Sequence, residues 1–409
     1  MLLQISAVKP IVMKYDDINF TISESDEFED KKIIYDELYI CYVARKQKKR
    51  ETLESFHFSS NAGQLIDELV ERIVHGDFKI QSFHQFYIFN PKRLINAPDE
   101  VDRLGEFWLC EKYIKPYLKG ELSPDKSLVK SNDNLFPRLY TNNVACQKGK
   151  GSAEAMRRLA YALSQAHILY GDFYVIQYDI KKFYDNIEHE AAKDLFKELP
   201  KCAYTMTSNI IDSYSCSVNT PECYAARKNP QKSYGMPKGT LISQWTGVML
   251  LDPLDRLIDD TDNVLFTMRY CDDCVTLVKT KKDAVNVLNL VKNYLRDNEL
   301  GIELNEKKTA YYPISRGVNF CGFRYTVMPD HSVIKRILWH KKKEQYGEFK
   351  TIQYLYRNEI ITFQEAMDRY RGIFAHLNKG DTYRLRRYYQ ERFYLSHNKT
   401  QKKERSNNE

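Results

Sequence analysis

Apolar positions along the chain follow two periods, and the stretch over which each holds predicts an element. From Lys31 onward, Ile33, Ile34, Leu38, Tyr39, Tyr42 and Val43 recur three and four residues apart, the spacing of one helix face. Residues 65–74 repeat that spacing and stop at His75-Gly76-Asp77, where Gly76 suits the turn that closes a helix. Residues 83–89 alternate instead, as a strand does, and run into Asn90-Pro91-Lys92-Arg93-Leu94-Ile95. Helical spacing returns over 153–167, 250–258, 283–300, 340–354, 362–378 and 382–394. Apolar, β-prone runs occupy 174–178 and both sides of 267–278, which reads as a hairpin around a tight break. Residues 1–30 carry an acidic run from Glu24 to Asp30 and little period, an extension or a cap, while 396–409 is polar and expected to be disordered.

The breaks in these patterns carry the chemistry. Asp272 and Asp273 sit at the turn of the 267–278 hairpin. Neighbouring residues on a strand face opposite ways, so both carboxylates serve one site only if the turn redirects them. Two carboxylates this close repel, and a bound divalent cation is the usual reason to keep both ionised. Taken alone, the pair also fits a plain exposed Asp-Asp turn. Asp179 ends the 174–178 strand and can bring a third carboxylate to the same place. Three carboxylates around two Mg2+ ions are what in-line nucleotidyl transfer requires.

Five stretches carry a resemblance to reverse transcriptases, in the family's order. Gln177-Tyr178-Asp179-Ile180-Lys181-Lys182-Phe183-Tyr184 resembles the first catalytic motif, and Gly235-Met236-Pro237-Lys238-Gly239-Thr240-Leu241-Ile242-Ser243-Gln244 the template- and nucleotide-positioning motif. Tyr270-Cys271-Asp272-Asp273 resembles the Y-x-D-D box. Gly301 to Thr309 and Phe320-Cys321-Gly322-Phe323 are similar to the next two motifs, the second being the primer grip. The resemblance covers roughly 30–395 and is best over 140–325. It implies an α+β right-hand polymerase: an N-terminal extension (1–30), fingers (31–170), a palm whose antiparallel sheet carries the carboxylates (171–325), a helical thumb (326–395) and a tail (396–409).

The resemblance also implies roles. Asp179, Asp272 and Asp273 would hold two Mg2+ ions, with Ile180 beside Asp179 in the same metal site. Lys308, or Lys307, would protonate the leaving pyrophosphate, unless the two are a solvated pair. Tyr184 would pack under the sugar and exclude a 2′-hydroxyl, with Phe183 in the core. Lys92 and Arg93 would meet the triphosphate, the plain alternative being a charged turn. Lys238, Gly239 and Gln244 would line the nucleotide site, Gly239 by letting the backbone come close. Lys148 and Lys150, in a Gly/Lys loop ahead of the 153–167 helix, would hold template or nucleotide, or form an ordinary loop-to-helix turn. Phe320, Cys321 and Gly322 would grip the primer, and Arg384 and Arg387 would lie along the hybrid backbone. The span from 190 to 234 is longer than the motifs need and is expected to form a loop near the template.

Composition sharpens the partners. The net charge is +7, yet residues 331–409 hold 18 Lys+Arg against 9 Asp+Glu, leaving 44 against 46 before them. The basic surplus, with Tyr and Phe interleaved, predicts a polyanion contact at the C-terminal end, where the plain reading is a solvated basic surface. The run Arg45 to Arg50 is a second candidate for phosphates. Nine scattered cysteines suit free thiols in a reducing cytoplasm, and Cys271-x-x-Cys274 lacks the second ligand pair of a zinc site. No run approaches the ~18–20 apolar residues of a membrane span, and the start, Met1 to Ser6, has no secretory pattern. Ser243-Gln244, where many relatives end in Ser-Pro, resembles diversity-generating enzymes and their defence-associated kin, while Lys238 departs from the aliphatic residue of the former. The implied function is copying of a structured noncoding RNA from dNTPs in antiviral defence, as a possible homo-oligomer or with an accessory protein. A diversity-generating enzyme and a catalytically idle RNA-binding module are the alternatives.

Overall fold

The computed structural model describes residue 20 and residues 27–46, 53–88, 92–122 and 136–396. Most of the expected N-terminal extension, of the tail and of the Arg45–Arg50 run therefore lies outside the described residues. Among those described, no helix is long and apolar enough to cross a membrane.

The centre is a four-stranded antiparallel sheet of β3 (Tyr174–Tyr178), β4 (Val264–Tyr270), β5 (Asp273–Val278) and β6 (Ala310–Pro313), in the order β4-β5-β3-β6. Alternation along the strands divides their side chains between two cores. Ile176, Tyr178, Cys274 and Val278 face one, with Val287 and Val291 of the helix Lys281–Asp297. Val175, Val275 and Leu277 face the other, with Leu159 and Leu163 of the helix Ser152–Tyr170. Cover on both faces explains why β5 is almost uninterruptedly apolar. The helix Ser152–Tyr170, placed with the fingers from sequence, thus backs the palm sheet.

The N-terminal helices Lys31–Lys46, Ala62–Val74 and Glu100–Leu109 share the first core with the palm. From them projects the hairpin of β1 (Phe83–Ile88) and β2 (Arg93–Pro98), whose β1 face is largely exposed. A second sheet, β7 (Val318–Phe320), β8 (Phe323–Val327) and β9 (Val333–Ile337), follows the palm. The expected boundary after 325 falls inside β8, and the helical unit begins at Trp339 because β9 pairs back onto β8. Its helices Trp339–Arg357, Phe363–Leu377 and Tyr383–Gln390 enclose a separate core around Phe349, Ile352, Ile373 and Tyr389.

Three expectations are corrected. The 190–234 span carries three helices, His189–Asp194, Lys201–Asp212 and Tyr224–Lys228, with non-helical stretches at 195–200, 213–223 and 229–234. The helix expected over 250–258 begins at Asp252, because Pro253 lacks the N–H that continuing the helix Leu241–Met249 would need. Cys216 and Cys223 form a disulfide, although the other seven cysteines are free thiols. Turns closed by Thr220 N–H to Ser217 O (2.9 Å) and Cys223 N–H to Thr220 O (3.0 Å) bring those two Cα atoms to 5.9 Å.

Candidate active site

The β4–β5 ladder closes at Tyr270–Asp273, so Cys271 and Asp272 alone make the turn. Two-residue hairpin loops need positive φ, and Cys271 supplies it at 58°. Because Tyr178 pairs with Cys274, the next antiparallel step sets Asp179 beside Asp273. Asp179 is buried and held from segment 303–308: its backbone oxygen accepts from Asn305 N–H (2.8 Å). Its Oδ2 accepts from Asn305 Nδ2 (2.8 Å) and its Oδ1 from Lys308 Nζ (3.1 Å).

The three carboxylates feel one another. Burial, then the charges of Asp272 and Asp179, pushes the Asp273 carboxyl up to about 6, and Asp272 is raised by burial and by Asp179. Lys308 and Arg93 pull both the other way, which brings the fingers hairpin electrostatically to the site. A set of mutually repelling carboxylate oxygens fits a hard divalent cation, which would remove the repulsion. Among the described residues, the only group whose metal-ligating atoms lie within 4.8 Å of one another is Glu54, His84 and Asp99. It lies outside the lining of the cleft described next.

A cleft of about 2180 Å³ opens in front of the carboxylates. Asp179, Ile180, Asp272 and Lys308 line it, as do Lys92 and Arg93 of the β1–β2 hairpin, while Asp273 does not. Tyr184, Lys238, Gly239 and Gln244 complete the lining. Lys238 Nζ donates to both oxygens of buried Asp185 (2.7 and 2.6 Å), and its backbone oxygen accepts from Asn96 N–H of β2 (2.9 Å). Gly239 is required there: with φ +153°, a Cβ would stand 2.6 Å from Asn96 O.

Residues 127–325 match the family described as reverse transcriptase (RNA-dependent DNA polymerase). That segment is similar to a reverse transcriptase domain. The chain is accordingly an RNA-directed DNA polymerase, a nucleotidyltransferase, acting on an RNA template and dNTPs. No curated protein matches the chain. The matched segment contains β3 to β7, the start of β8 and all three carboxylates.

The remaining expected residues of the reverse transcriptase lie elsewhere. Lys150 turns its ammonium onto the backbone oxygens of Thr141 (3.1 Å) and Asn143 (3.3 Å), and burial lowers it to about 8, so it fastens its own loop. Lys148 is exposed on that loop. Phe320 is core, because alternation in β7 turns Val318 and Phe320 inward. The turn Cys321-Gly322 takes φ 49° and 83°, and burial, then the charge of Asp273, raises the Cys321 thiol to about 12. Arg384 and Arg387 are exposed on the last helix, Arg387 donating to Glu391 (2.9 Å). Asp185 and Asn305 were not anticipated. Asp185 had one signal, since Lys238 beside a glycine turn needs a counter-charge; Asn305 had none.

Proposed function

We propose that this reverse transcriptase copies a structured noncoding RNA into cDNA, using two Mg2+ ions, in antiviral defence within the cytoplasm. The observation that carries the polymerase reading is Asp179 set beside the Asp272-Asp273 turn at the large cleft. Asp179, Asp272, Asp273 and the Ile180 backbone would hold the ions. When bound, these would lower the pKa of the primer 3′-hydroxyl and neutralise charge on the leaving pyrophosphate. Lys308, within hydrogen-bond reach of Asp179, would deliver the proton that pyrophosphate needs.

The other residues position substrates. Lys92 and Arg93 would take the triphosphate from the fingers side, and Tyr184 would lie against the sugar. Gly239 would admit the nucleotide by its bare backbone, with Lys238 and Gln244 on its flank. Lys148 would touch template, Lys150 would shape the loop that does so, and Cys321-Gly322, seated on buried Phe320, would support the primer end. Arg384 and Arg387 would run along the hybrid backbone. Support for the defence role is the combination of Ser243-Gln244 with Lys238 and Cys271. The Ser243-Gln244 pair alone equally suits a diversity-generating enzyme, which is the second reading.

Sequencing cDNA from cells carrying the native locus tests this, wild type beside Asp272→Ala/Asp273→Ala. Discrete cDNA from a neighbouring RNA, present only with wild type, is the expected result. Adenine-specific errors would favour the diversity-generating reading, and identical reads in both strains, even after phage infection, would leave an RNA-binding module.

A further inference from the structure

Arg269 lies in β4, one residue before Tyr270, and its side chain is 1% exposed. A charge in an apolar strand needs partners, and here all three guanidinium nitrogens donate a hydrogen bond. Nε donates to Asp255 (2.8 Å to Oδ2) and Nη2 to the Val248 oxygen (2.8 Å), while Nη2 also forms an ion pair with Asp255 Oδ2 at 2.7 Å. Nη1 donates to the backbone oxygens of Gly247 (3.1 Å) and Cys271 (3.0 Å). Asp255 is as deeply buried as the arginine it faces.

These contacts join four segments at one point. Cys271 O belongs to the turn that carries Asp272, and Cys271 holds a left-handed φ that disfavours a side chain. Gly247 and Val248 end the helix Leu241–Met249, which packs under Tyr184. Asp255 is on the helix Asp252–Asp259. The Arg269 backbone pairs with Asn142 O (3.1 Å) and Val144 N–H (3.0 Å), while Asn143 Nδ2 also donates to Val248 O (2.9 Å). A guanidinium fork is the side chain that spans such a set; an ammonium has three donors and no plane.

We propose that Arg269, anchored by Asp255, is a positioning residue for the polymerase reaction: through the Cys271 carbonyl it fixes Asp272 against Asp179, and through Gly247 it couples that turn to the nucleotide wall. The inference rests on the reading of Asp272 as a metal ligand. Arg269 touches no substrate. It sets where a ligand oxygen stands, and a displacement of about 1 Å in such a group costs about a hundredfold in rate.

The test is primer extension on a heteropolymeric RNA by the full chain, comparing wild type with Arg269→Lys and Asp255→Asn at varied Mg2+. Thermal midpoint and active-site titration run in parallel. Expected are a kcat per active site lower by about ten- to a hundredfold, a half-saturating Mg2+ concentration raised about tenfold, and a wild-type KM for primer-template. A merely structural residue would lower the active fraction and the midpoint but leave Mg2+ dependence per active site unchanged, and that result overturns the proposal. So does failure of both variants to fold, since the pair would then be a fold element. The active-site reading fails separately, if wild type needs no divalent ion or Asp272→Ala retains synthesis.

Discussion

Gly247→Ala adds one methyl group in the last turn of a helix and tests how the sugar is selected. The new Cβ would stand 2.7 Å from Tyr184 Oη and 3.2 Å from both Tyr184 Cε1 and Phe183 Cε1. Carbon contacts settle near 3.5–4.0 Å, so the Tyr184 ring must move by roughly 1 Å. Phe183 is buried against it, ring centroids 5.2 Å apart, and the Tyr184 carbonyl is held by Met236 N–H (2.7 Å). The free direction is the cleft that Tyr184 lines. Overpacking of this kind costs about 1–3 kcal/mol, against about 1 kcal/mol that alanine gains over glycine in a helix. Global stability should therefore change little, and the displaced ring should meet the nucleotide. At 1.4 kcal/mol per factor of ten, kcat/KM for dNTPs should fall about ten- to a hundredfold. Exclusion of rNTPs should hold or tighten, and Tyr184→Ala should relax it. Single-nucleotide insertion kinetics with dNTP and rNTP, alongside a thermal midpoint, measure both. A raised midpoint with unchanged dNTP kinetics would show that the ring has other room, and unchanged rNTP exclusion in Tyr184→Ala would remove it as the gate.

Further predictions follow from single contacts. Glu106 is buried, its Oε1 accepting from Ile242 N–H (2.9 Å), and burial raises it from 4.5 to about 7. Because the folded chain favours the protonated acid, this stability is complete below about pH 4.5, falls as pH rises to about 7 and then levels off, a total of roughly 3 kcal/mol. Glu106→Gln should match wild type closely in urea at pH 5 and exceed it by roughly that amount at pH 8; a pH-independent gap refutes the assignment. Lys308→Ala should lower kcat by about a hundredfold or more at constant KM for primer, and Lys307→Ala should not; equal effects would make the two a solvated pair. Arg93→Ala should raise KM for dNTPs about tenfold or more, as loss of one charge-assisted contact costs about 1.5–3 kcal/mol, with primer binding unchanged in a filter assay.

What could be read from the chain was local. The 267–278 hairpin announces itself by period, and the charged break inside it placed Cys271-Asp272-Asp273 at or near the turn, which Cys271 and Asp272 make. Asp179 followed because a carboxylate at a strand end has few other uses. What escaped depends on distant partners. Asn305 bonds Asp179 across 126 residues and Asp185 meets Lys238 across 53, and no spacing reports either. Phe320 was expected at the primer grip, and three residues of β7 are too few to display the alternation that turns it inward. β9 went unseen because Lys335 and Arg336 interrupt its pattern, and it is fixed as a strand only by β8. The helices of 190–234 are short, and the Cys216–Cys223 pair depends on turns between them.

The division of the cores decides which parts can move. One continuous core runs from Ile34 to Leu304 through fingers and palm, so swinging the fingers away as a body would drag buried apolar surface into water. Motion over an incoming nucleotide is thereby confined to the thin β1–β2 ribbon. The C-terminal helices have a core of their own, and Ile337 borders both it and the palm-side core. The ties across that junction include Leu338 N–H to Gly322 O (3.0 Å), Asp381 N–H to Lys335 O (2.8 Å) and Lys379 Nζ to Ser152 Oγ (2.8 Å). Each is a single hydrogen bond of about 1 kcal/mol. The helical unit can thus shift at that junction without loosening the block that holds the carboxylates.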